Sequence, residues 1–402
     1  MDFAFTPEEE EFRAELRQII DEELPKRWGG HLGGEFAGIH WGEESYIETS
    51  ERVESNLKAL VRAKGWRPLS WPKEYGGFGA SVWQQVVFKE ETVARAAPTG
   101  GGLGELFIGP AIMAYGTEEQ KQKHLPPIAG GNDHWAQLYS EPDAGSDLAS
   151  LKTRAEEQGD TFVVNGSKIW TSDAPKAQWG FLFARTDPDL PRHRGISCFL
   201  IDMKSPGISV RPIPNMIRQY DISEVFFDNV VIPRESLLGE KNGGWRIMMS
   251  GVGFERGGTL DYARTQRLLN ALIEYCKTTT HDGQLIIDDP AVRERLAHAA
   301  TKIQVTRLVN YKTMSIWSDG QLPDWESSLG KDLMDTVYQE VMLIAQNILG
   351  RYARIQYPNP LAPLDGVVEY HTRPALHAGI SPGTAQIQRN IIATRGLGLP
   401  RD

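Results

Sequence analysis

The fold of this chain is decided by two nearby segments, Tyr139-Ser-Glu-Pro-Asp-Ala-Gly-Ser-Asp147 and Val164-Asn-Gly-Ser-Lys-Ile-Trp-Thr-Ser-Asp-Ala174. The first gathers hydroxyls, carboxylates and small residues around a proline, which predicts a bent, exposed loop that offers N–H groups and hydroxyls to a ligand. The second places Asn165-Gly166 between two apolar runs, which predicts a β-hairpin. It ends in Trp170, Thr171 and Ser172, an aromatic plane beside two hydroxyls. A flat cofactor with polar edges requires that combination.

Taken singly, the first segment is more often a plain surface loop and the second a plain hairpin. Together and in this order they resemble the flavin-binding signatures of the acyl-CoA dehydrogenase family. The resemblance covers nearly the whole chain. Its other parts are Gly65-Trp66, Trp71-Pro-Lys-Glu-Tyr-Gly-Gly77, Tyr115-Gly-Thr-Glu-Glu-Gln-Lys121, Arg194-Gly-Ile-Ser-Cys-Phe199, Val225-Phe-Phe-Asp-Asn-Val-Val-Ile-Pro233 and Gly383-Thr-Ala-Gln-Ile-Gln-Arg-Asn390.

Composition narrows the class of protein. The 402 residues carry a net charge of −10, from 43 basic and 53 acidic side chains, without a lysine or arginine cluster. We therefore expect no nucleic-acid partner. The two cysteines and the scattered histidines lack metal-ligand spacing, so we expect no metal site. The acidic, helix-like start predicts neither a signal peptide nor a membrane span, and we expect a cytoplasmic protein.

The periodicity of apolar residues changes twice along the chain. Residues 1–135 have helical signals, including the capping pattern Thr6-Pro-Glu-Glu9. Residues 136–240 contain short β-type runs separated by Gly, Pro and Asp, which predicts a small β-barrel or sandwich. Residues 241–402 are helical again. The expected fold is thus α+β but mostly α, with a helical domain, a middle β-barrel and, as the resemblance implies, a C-terminal four-helix bundle.

The resemblance implies a reaction that removes a proton α to a thioester and a hydride from Cβ. Such a reaction requires a carboxylate base and donors to the thioester oxygen. In much of the family the base is a Glu in a Tyr-Glu-Gly-Thr turn near the C-terminus. Here the matching stretch is Ile380-Ser-Pro-Gly-Thr384, with Pro382 in the position of the Glu. Proline is neither a base nor an N–H donor.

A minority of the family carries the base on the first long helix of the C-terminal domain, where this chain has Gly251-Val-Gly-Phe-Glu255-Arg256-Gly-Gly258. Glu255 occupies the matching position and is the predicted catalytic base. Two glycines in a helix interior cost about 1 kcal/mol each, which favours close approach of a ligand or backbone. The alternative is a surface glutamate paired with Arg256. Arg256 and Tyr262, together with Ser146 of the first segment, are the predicted substrate-binding residues.

The same resemblance implies FAD as cofactor and assigns its contacts. The acidic loop is expected to meet the flavin or CoA pyrophosphate, Trp170 to cover the isoalloxazine edge, and Ser172 or Thr171 to lie near N5. A C-terminal pair is expected to hold the ribityl or phosphate part. The predicted cofactor-binding residues are Tyr139, Ser140, Ser146, Trp170, Thr171, Ser172, Thr384 and Gln386.

Two further motifs depart from the family. Members hold the adenine end of a neighbouring subunit's flavin with an Arg-x-x-Phe-Gly motif and a Gln-x-x-Gly-Gly-x-Gly stretch. Here Thr279 replaces the arginine, and Gln346-Asn-Ile-Leu-Gly350 lacks two of the three glycines. We therefore expect an α2β2 heteromer in which a homologous second subunit supplies the adenine-side contacts, as in the actinobacterial branch that degrades steroid side chains.

The leading hypothesis is an FAD-dependent acyl-CoA dehydrogenase subunit that acts on a bulky or branched acyl-CoA, such as a steroid side chain, and passes electrons to electron-transfer flavoprotein. One alternative is a non-catalytic structural subunit with degenerate motifs. The other is a flavin-dependent oxidase or monooxygenase on the same fold.

Overall fold

The computed structural model describes residues 4–24, 44–216, 222–250, 260–356, 359–381 and 383–400, with the backbone alone for 44–50. Contacts divide the chain into two compact units that do not follow chain order. The helical unit comprises Met1–Trp66, Ala80–Gly100 and Arg256–Asp402. The β unit comprises Arg67–Gly79 and Gly101–Glu255.

The helical unit is built mainly from α-helices, and local sequence signals mark where several of them begin. The Thr6 hydroxyl accepts from the Glu9 N–H at 3.3 Å while the Glu9 carboxylate accepts from the Thr6 N–H at 2.8 Å, which is the predicted capping box. The helices are α1 (Pro7–Glu23), α2 (Glu44–Ala63), α3 (Val82–Arg95), α6 (Tyr262–Thr278), α7 (Pro290–Ser318), α8 (Trp325–Leu349), α9 (Val367–Ala378) and α10 (Ala385–Ile391).

One apolar core joins α3, α6, α7, α8 and α9. Helix α8 supplies its largest share, because buried residues recur along it at helical spacing. Those residues are Met334, Val337, Tyr338, Val341, Met342, Ile344, Ala345 and Leu349. These residues form one broad apolar face of α8.

The described residues of the β unit form the strands β1 (Trp135–Leu138), β2 (Arg154–Gln158), β3 (Thr161–Ser172), β4 (Trp179–Arg185), β5 (Ile196–Asp202), β6 (Ile208–Ile213), β7 (Ile222–Pro233) and β8 (Leu237–Leu238). These strands make one sheet in the order β6-β7-β3-β2-β4-β5-β8, and β1 pairs in parallel with β4. Helices α4 (Gly109–Tyr115) and α5 (Glu118–Gly130) also belong to this unit. The predicted order of helices, β-structure and helices is confirmed.

The predicted hairpin turn at Asn165-Gly166 is wrong, since both residues lie inside β3. The turn between β2 and β3 is Gly159-Asp160, flanked by the pair Gln158 and Thr161. The glycine at 166 serves a different purpose: its φ is +143°, and an added Cβ would lie 2.6 Å from Oγ1 of Thr153. Local sequence cannot distinguish a glycine in a turn from a glycine that another segment of the chain approaches closely.

In the described part of the chain, no helix is both long and apolar enough to cross a membrane.

Candidate functional site

A β-bulge near the end of β3 turns Trp170 outward. Lys168 pairs with Val225 and Thr171 with Ser223, so β3 has one more residue than β7 between these pairs. Trp170 lies in this bulge with φ of 61°, and 61% of its surface is exposed. An indole held outside the core in a strained backbone presents a flat face to a ligand.

Two buried hydroxyls lie beside the bulge. Thr171 and Ser223 are paired across β3 and β7, and both are almost fully buried. Neither Oγ1 of Thr171 nor Oγ of Ser223 has a hydrogen-bond partner among the described residues. A buried hydroxyl left unsatisfied costs about 1–3 kcal/mol, so this pair favours a bound polar group. Ser223 was not predicted as a site residue from the sequence. It alternates with Val225 and Phe227 along β7, so a serine at this position, where an apolar residue is expected, is the signal that could have identified it.

The acidic loop is fastened to β3 by a buried ion pair. Nζ of Lys168 donates to Oε1 of Glu141 at 2.8 Å and to the Tyr139 carbonyl at 2.9 Å. Glu141 also accepts from the N–H groups of Lys152 at 2.6 Å and Thr153 at 2.9 Å. These bonds hold the loop at the strand that carries Trp170.

The electrostatics of the pair follow from its burial. Burial raises the pKa of Glu141, but the charge of Lys168 and the bonds the carboxylate accepts outweigh it, so the pKa lies below its usual value. Burial lowers the pKa of Lys168 to about 8, against the opposing effect of Glu141. Neither residue could be predicted as a site component from the sequence, because the contact joins positions 27 residues apart along the chain.

Most of the predicted cofactor residues of the β unit lie close together. The Ile169 N–H donates to the Ser140 carbonyl at 2.9 Å, which brings Ser140 next to Trp170. The half-buried Tyr139 ring contacts Phe183 with centroids 4.6 Å apart. Ser172 ends β3 and is exposed, as is Ser146 further along the loop.

The predicted cofactor and substrate residues that lie in the helical unit make contacts within that unit. Oγ1 of Thr384 accepts from the Ile387 N–H at 3.3 Å and caps α10, while Gln386 is exposed. Tyr262 is buried, and its hydroxyl donates to Oε1 of Glu90. Burial, then Glu90, raises the pKa of this hydroxyl well above its ordinary value. Glu255, Arg256 and Pro382 lie outside the described residues, so their roles stay predictions.

The stretch that replaces the family's arginine motif is a tight hairpin. Thr279 is the C-cap that follows α6 and has an extended conformation. Two short strands, Thr280–His281 and Gln284–Leu285, follow it and are joined by Asp282 and Gly283, both with positive φ. Thr279 presents a neutral hydroxyl where the family motif has a guanidinium. Among the described residues no His, Cys, Asp and Glu cluster could hold a metal ion.

Comparison with known proteins gives consistent matches. Models of the acyl-CoA dehydrogenase N-terminal, middle and C-terminal domains match residues 6–132, 136–230 and 242–397. Acyl-CoA dehydrogenase IpdE1 of Mycobacterium tuberculosis is 35% identical over 412 residues, covering 98% of each chain. Acyl-CoA dehydrogenase FadE26 of the same organism is 34% identical over 100% of this chain and 99% of its own.

Two solved structures are similar to this chain over its whole length. The ChsE4-ChsE5 complex from Mycobacterium tuberculosis matches with a TM-score of 0.86 at 33% identity, covering 100% of both chains. A structure titled Tcur3481-Tcur3483 steroid ACAD matches with the same TM-score, identity and coverage.

Proposed function

Because this chain belongs to the acyl-CoA dehydrogenase family of flavoprotein oxidoreductases, we propose that it takes part in FAD-dependent α,β-dehydrogenation of an acyl-CoA thioester to the enoyl-CoA. The observation that carries the proposal is the exposed Trp170 ring at a bulge, next to the buried hydroxyl of Thr171, which has no partner among the described residues. An aromatic face with an unsatisfied donor suits the edge of a flavin.

The residues of the β unit fit FAD on chemical grounds. The Trp170 ring would cover the isoalloxazine, while the hydroxyls of Thr171 and Ser172 would donate to its polar edge. The loop held by Glu141 and Lys168 would present its N–H groups to phosphate. When bound, FAD supplies the acceptor for the hydride that leaves Cβ of the substrate.

We propose Glu255 as the base that takes the proton from the α carbon. A carboxylate at this point of the sequence matches the minority pattern of the family, and Pro382 removes the alternative position. Arg256, Tyr262 and Ser146 remain the proposed substrate contacts. Since the Tyr262 hydroxyl already donates to Glu90, Tyr262 would act through its ring unless that bond is exchanged.

The substrate class and assembly rest on the relatives. One similar structure is titled a steroid acyl-CoA dehydrogenase and another is titled a complex of two chains. We propose a bulky acyl-CoA such as a steroid side-chain thioester, electron-transfer flavoprotein as electron acceptor, and an α2β2 heteromer. The neutral Thr279 supports the heteromer, because a charge-assisted contact to a neighbouring cofactor is missing.

The test is expression of this chain alone and together with a homologous subunit from the same genome. FAD per chain would be measured by visible absorbance, and enoyl-CoA formation by mass spectrometry with steroid side-chain and straight-chain acyl-CoA substrates. We expect a FAD-loaded complex that acts on the bulky substrate with electron-transfer flavoprotein. If the complex holds FAD but forms no enoyl-CoA, the result would support the alternative that this chain is a non-catalytic structural subunit. Rapid reoxidation of the reduced flavin by oxygen would identify an oxidase.

A further inference from the structure

A pocket lies within the helical unit, separate from the residues assigned above to the flavin. It is lined by side chains of α1, α3, α6 and α7 and has a volume of about 320 Å³. Four arginines and two glutamates line it, so its walls carry an excess of positive charge.

Both glutamates are already satisfied. Glu91 accepts from Nε and Nη2 of Arg17, each at 2.8 Å, and from Nη1 of Arg95 at 2.5 Å. Glu90 accepts at Oε1 from Tyr262, from the Tyr311 hydroxyl at 2.7 Å and from Nε of Arg307 at 3.1 Å. Arg17, Arg95 and Arg307 therefore each have a carboxylate partner in the pocket wall.

Arg267 is the exception among the described residues that line the pocket. Its Nε and Nη1 are buried and make no hydrogen bond within the described chain. Arg264, one turn earlier on α6, has Asp261 at 2.5 Å. Burial, then the charge of Arg264, lowers the pKa of Arg267 to about 10. A buried cation without a counter-charge destabilises a protein strongly, so an anion is the expected occupant beside it.

The remaining walls favour a small polar molecule. Nε2 of Gln304 donates to Oε1 of Gln266 at 3.3 Å, and Nε2 of Gln266 donates to Oδ1 of Asn270 at 2.9 Å. These hydrogen-bonded side-chain amides end at Asn270, which lies three residues after Arg267 and therefore on the same side of the helix. Ala94, Ala263 and Ile303 supply an apolar side.

We propose that this pocket binds a compact oxyanion, a carboxylate or phosphate group carried by a small molecule, on the guanidinium of Arg267. Arginine forms paired, charge-assisted hydrogen bonds with both groups. The ligand neutralises the buried charge and is held against the amides of Gln266 and Asn270. Tyr262 also lines this pocket, but Arg267 has no role in the proposed dehydrogenation, so either conclusion can fail without the other.

Isothermal titration calorimetry tests the site on the full-length protein, purified in its own assembly with its cofactor. The probes are acetate, inorganic phosphate and chloride at matched ionic strength. We expect saturable binding of acetate or phosphate, and the tighter of the two identifies the group. Arg267→Met should weaken that binding about 10–100-fold, the equivalent of one charge-assisted hydrogen bond. Arg293→Met, an exposed arginine on α7 outside the pocket, should leave binding within about twofold.

A second variant keeps the test decisive if Arg267→Met does not fold. Asn270→Asp places a carboxylate three residues from Arg267 at an exposed position, where it competes with the ligand. We expect it to abolish anion binding and to raise the melting temperature measured without added anion. The proposal is overturned if neither acetate nor phosphate binds saturably to the wild-type protein. It is also overturned if both variants bind the anion as the wild type does.

Discussion

Lys168 and Glu141 form an ion pair withdrawn from solvent: their side chains are 0% and 7% exposed, and Nζ lies 2.8 Å from Oε1. The lysine also donates to a loop carbonyl, and the glutamate accepts two loop N–H groups. The pair thus joins the acidic loop to β3, the strand that carries Trp170. Its geometry determines where the candidate flavin contacts lie.

Glu141→Gln should destabilise the protein by about 3–5 kcal/mol, because it leaves the Lys168 charge buried without a partner. FAD content per chain should fall with it, since the loop loses its anchor. Urea unfolding and visible absorbance measure the two effects. The matched control is Asp143→Asn, which removes an exposed partner of Lys152 at 3.4 Å and should change neither value. If the Glu141 and Asp143 variants are equally stable, the Lys168–Glu141 ion pair does not anchor the loop as we infer.

Thr171→Val should weaken FAD binding without destabilising the apoprotein. The hydroxyl lacks a partner in the described chain, so its removal should leave the apoprotein as stable or more stable. If it donates to FAD, the cofactor affinity should fall about 2–10-fold, as for the loss of one neutral hydrogen bond. Fluorescence titration of apoprotein with FAD measures the affinity. Unchanged affinity would show that the hydroxyl does not reach the flavin.

Glu255→Gln should lower turnover by about 10²–10⁴-fold, the usual contribution of a general base, while FAD content stays constant. The amide keeps the size of the side chain but cannot take the α proton. Glu240→Gln, an exposed glutamate of the β unit, is the control and should retain turnover within about twofold. Near-normal turnover of the Glu255 variant would remove it as the base.

Thr279→Arg should strengthen FAD binding by the chain expressed alone about 10–100-fold, because it restores one charge-assisted contact to a neighbour's cofactor. The control is Thr280→Arg, one residue further in an extended segment, where the side chain points to the opposite face. FAD stoichiometry after gel filtration distinguishes them. A tightly bound, stoichiometric FAD in the unmodified chain alone would refute the proposed heteromer.

Stability should decrease with acidification below about pH 6.5, and His124 should contribute. Burial, then the charge of Lys123, lowers the pKa of His124 to about 4. Between that value and the ordinary histidine pKa, the unfolded chain binds a proton that the folded chain does not, so stability is lost as pH falls through this window. One such histidine contributes at most about 1.4 kcal/mol per pH unit. His124→Gln should flatten the slope of unfolding free energy between pH 6.5 and 4.5 in urea titrations; an unchanged slope would exclude this contribution.

Several features could be predicted from local sequence because their causes lie within a few residues. The capping box at Thr6 and Glu9 needs only a hydroxyl and a carboxylate three positions apart, and it forms as predicted. The apolar face of Trp325–Leu349 follows from the helical repeat alone. The change from helix to β-structure and back could also be predicted, because the spacing of apolar residues differs between helices and strands.

Other features depend on pairings that only the tertiary structure creates. The bulge that exposes Trp170 exists because β3 and β7 differ by one residue in register, and neither strand alone specifies that. Among the described residues, Oγ of Ser223 and Nε and Nη1 of Arg267 have no hydrogen-bond partner, and this is visible only in the tertiary structure. Sequence by itself thus determined the family, the order of elements and the segments that carry the candidate flavin contacts. The tertiary structure decided which polar groups lack partners, because satisfaction of a buried group depends on residues far away in the chain.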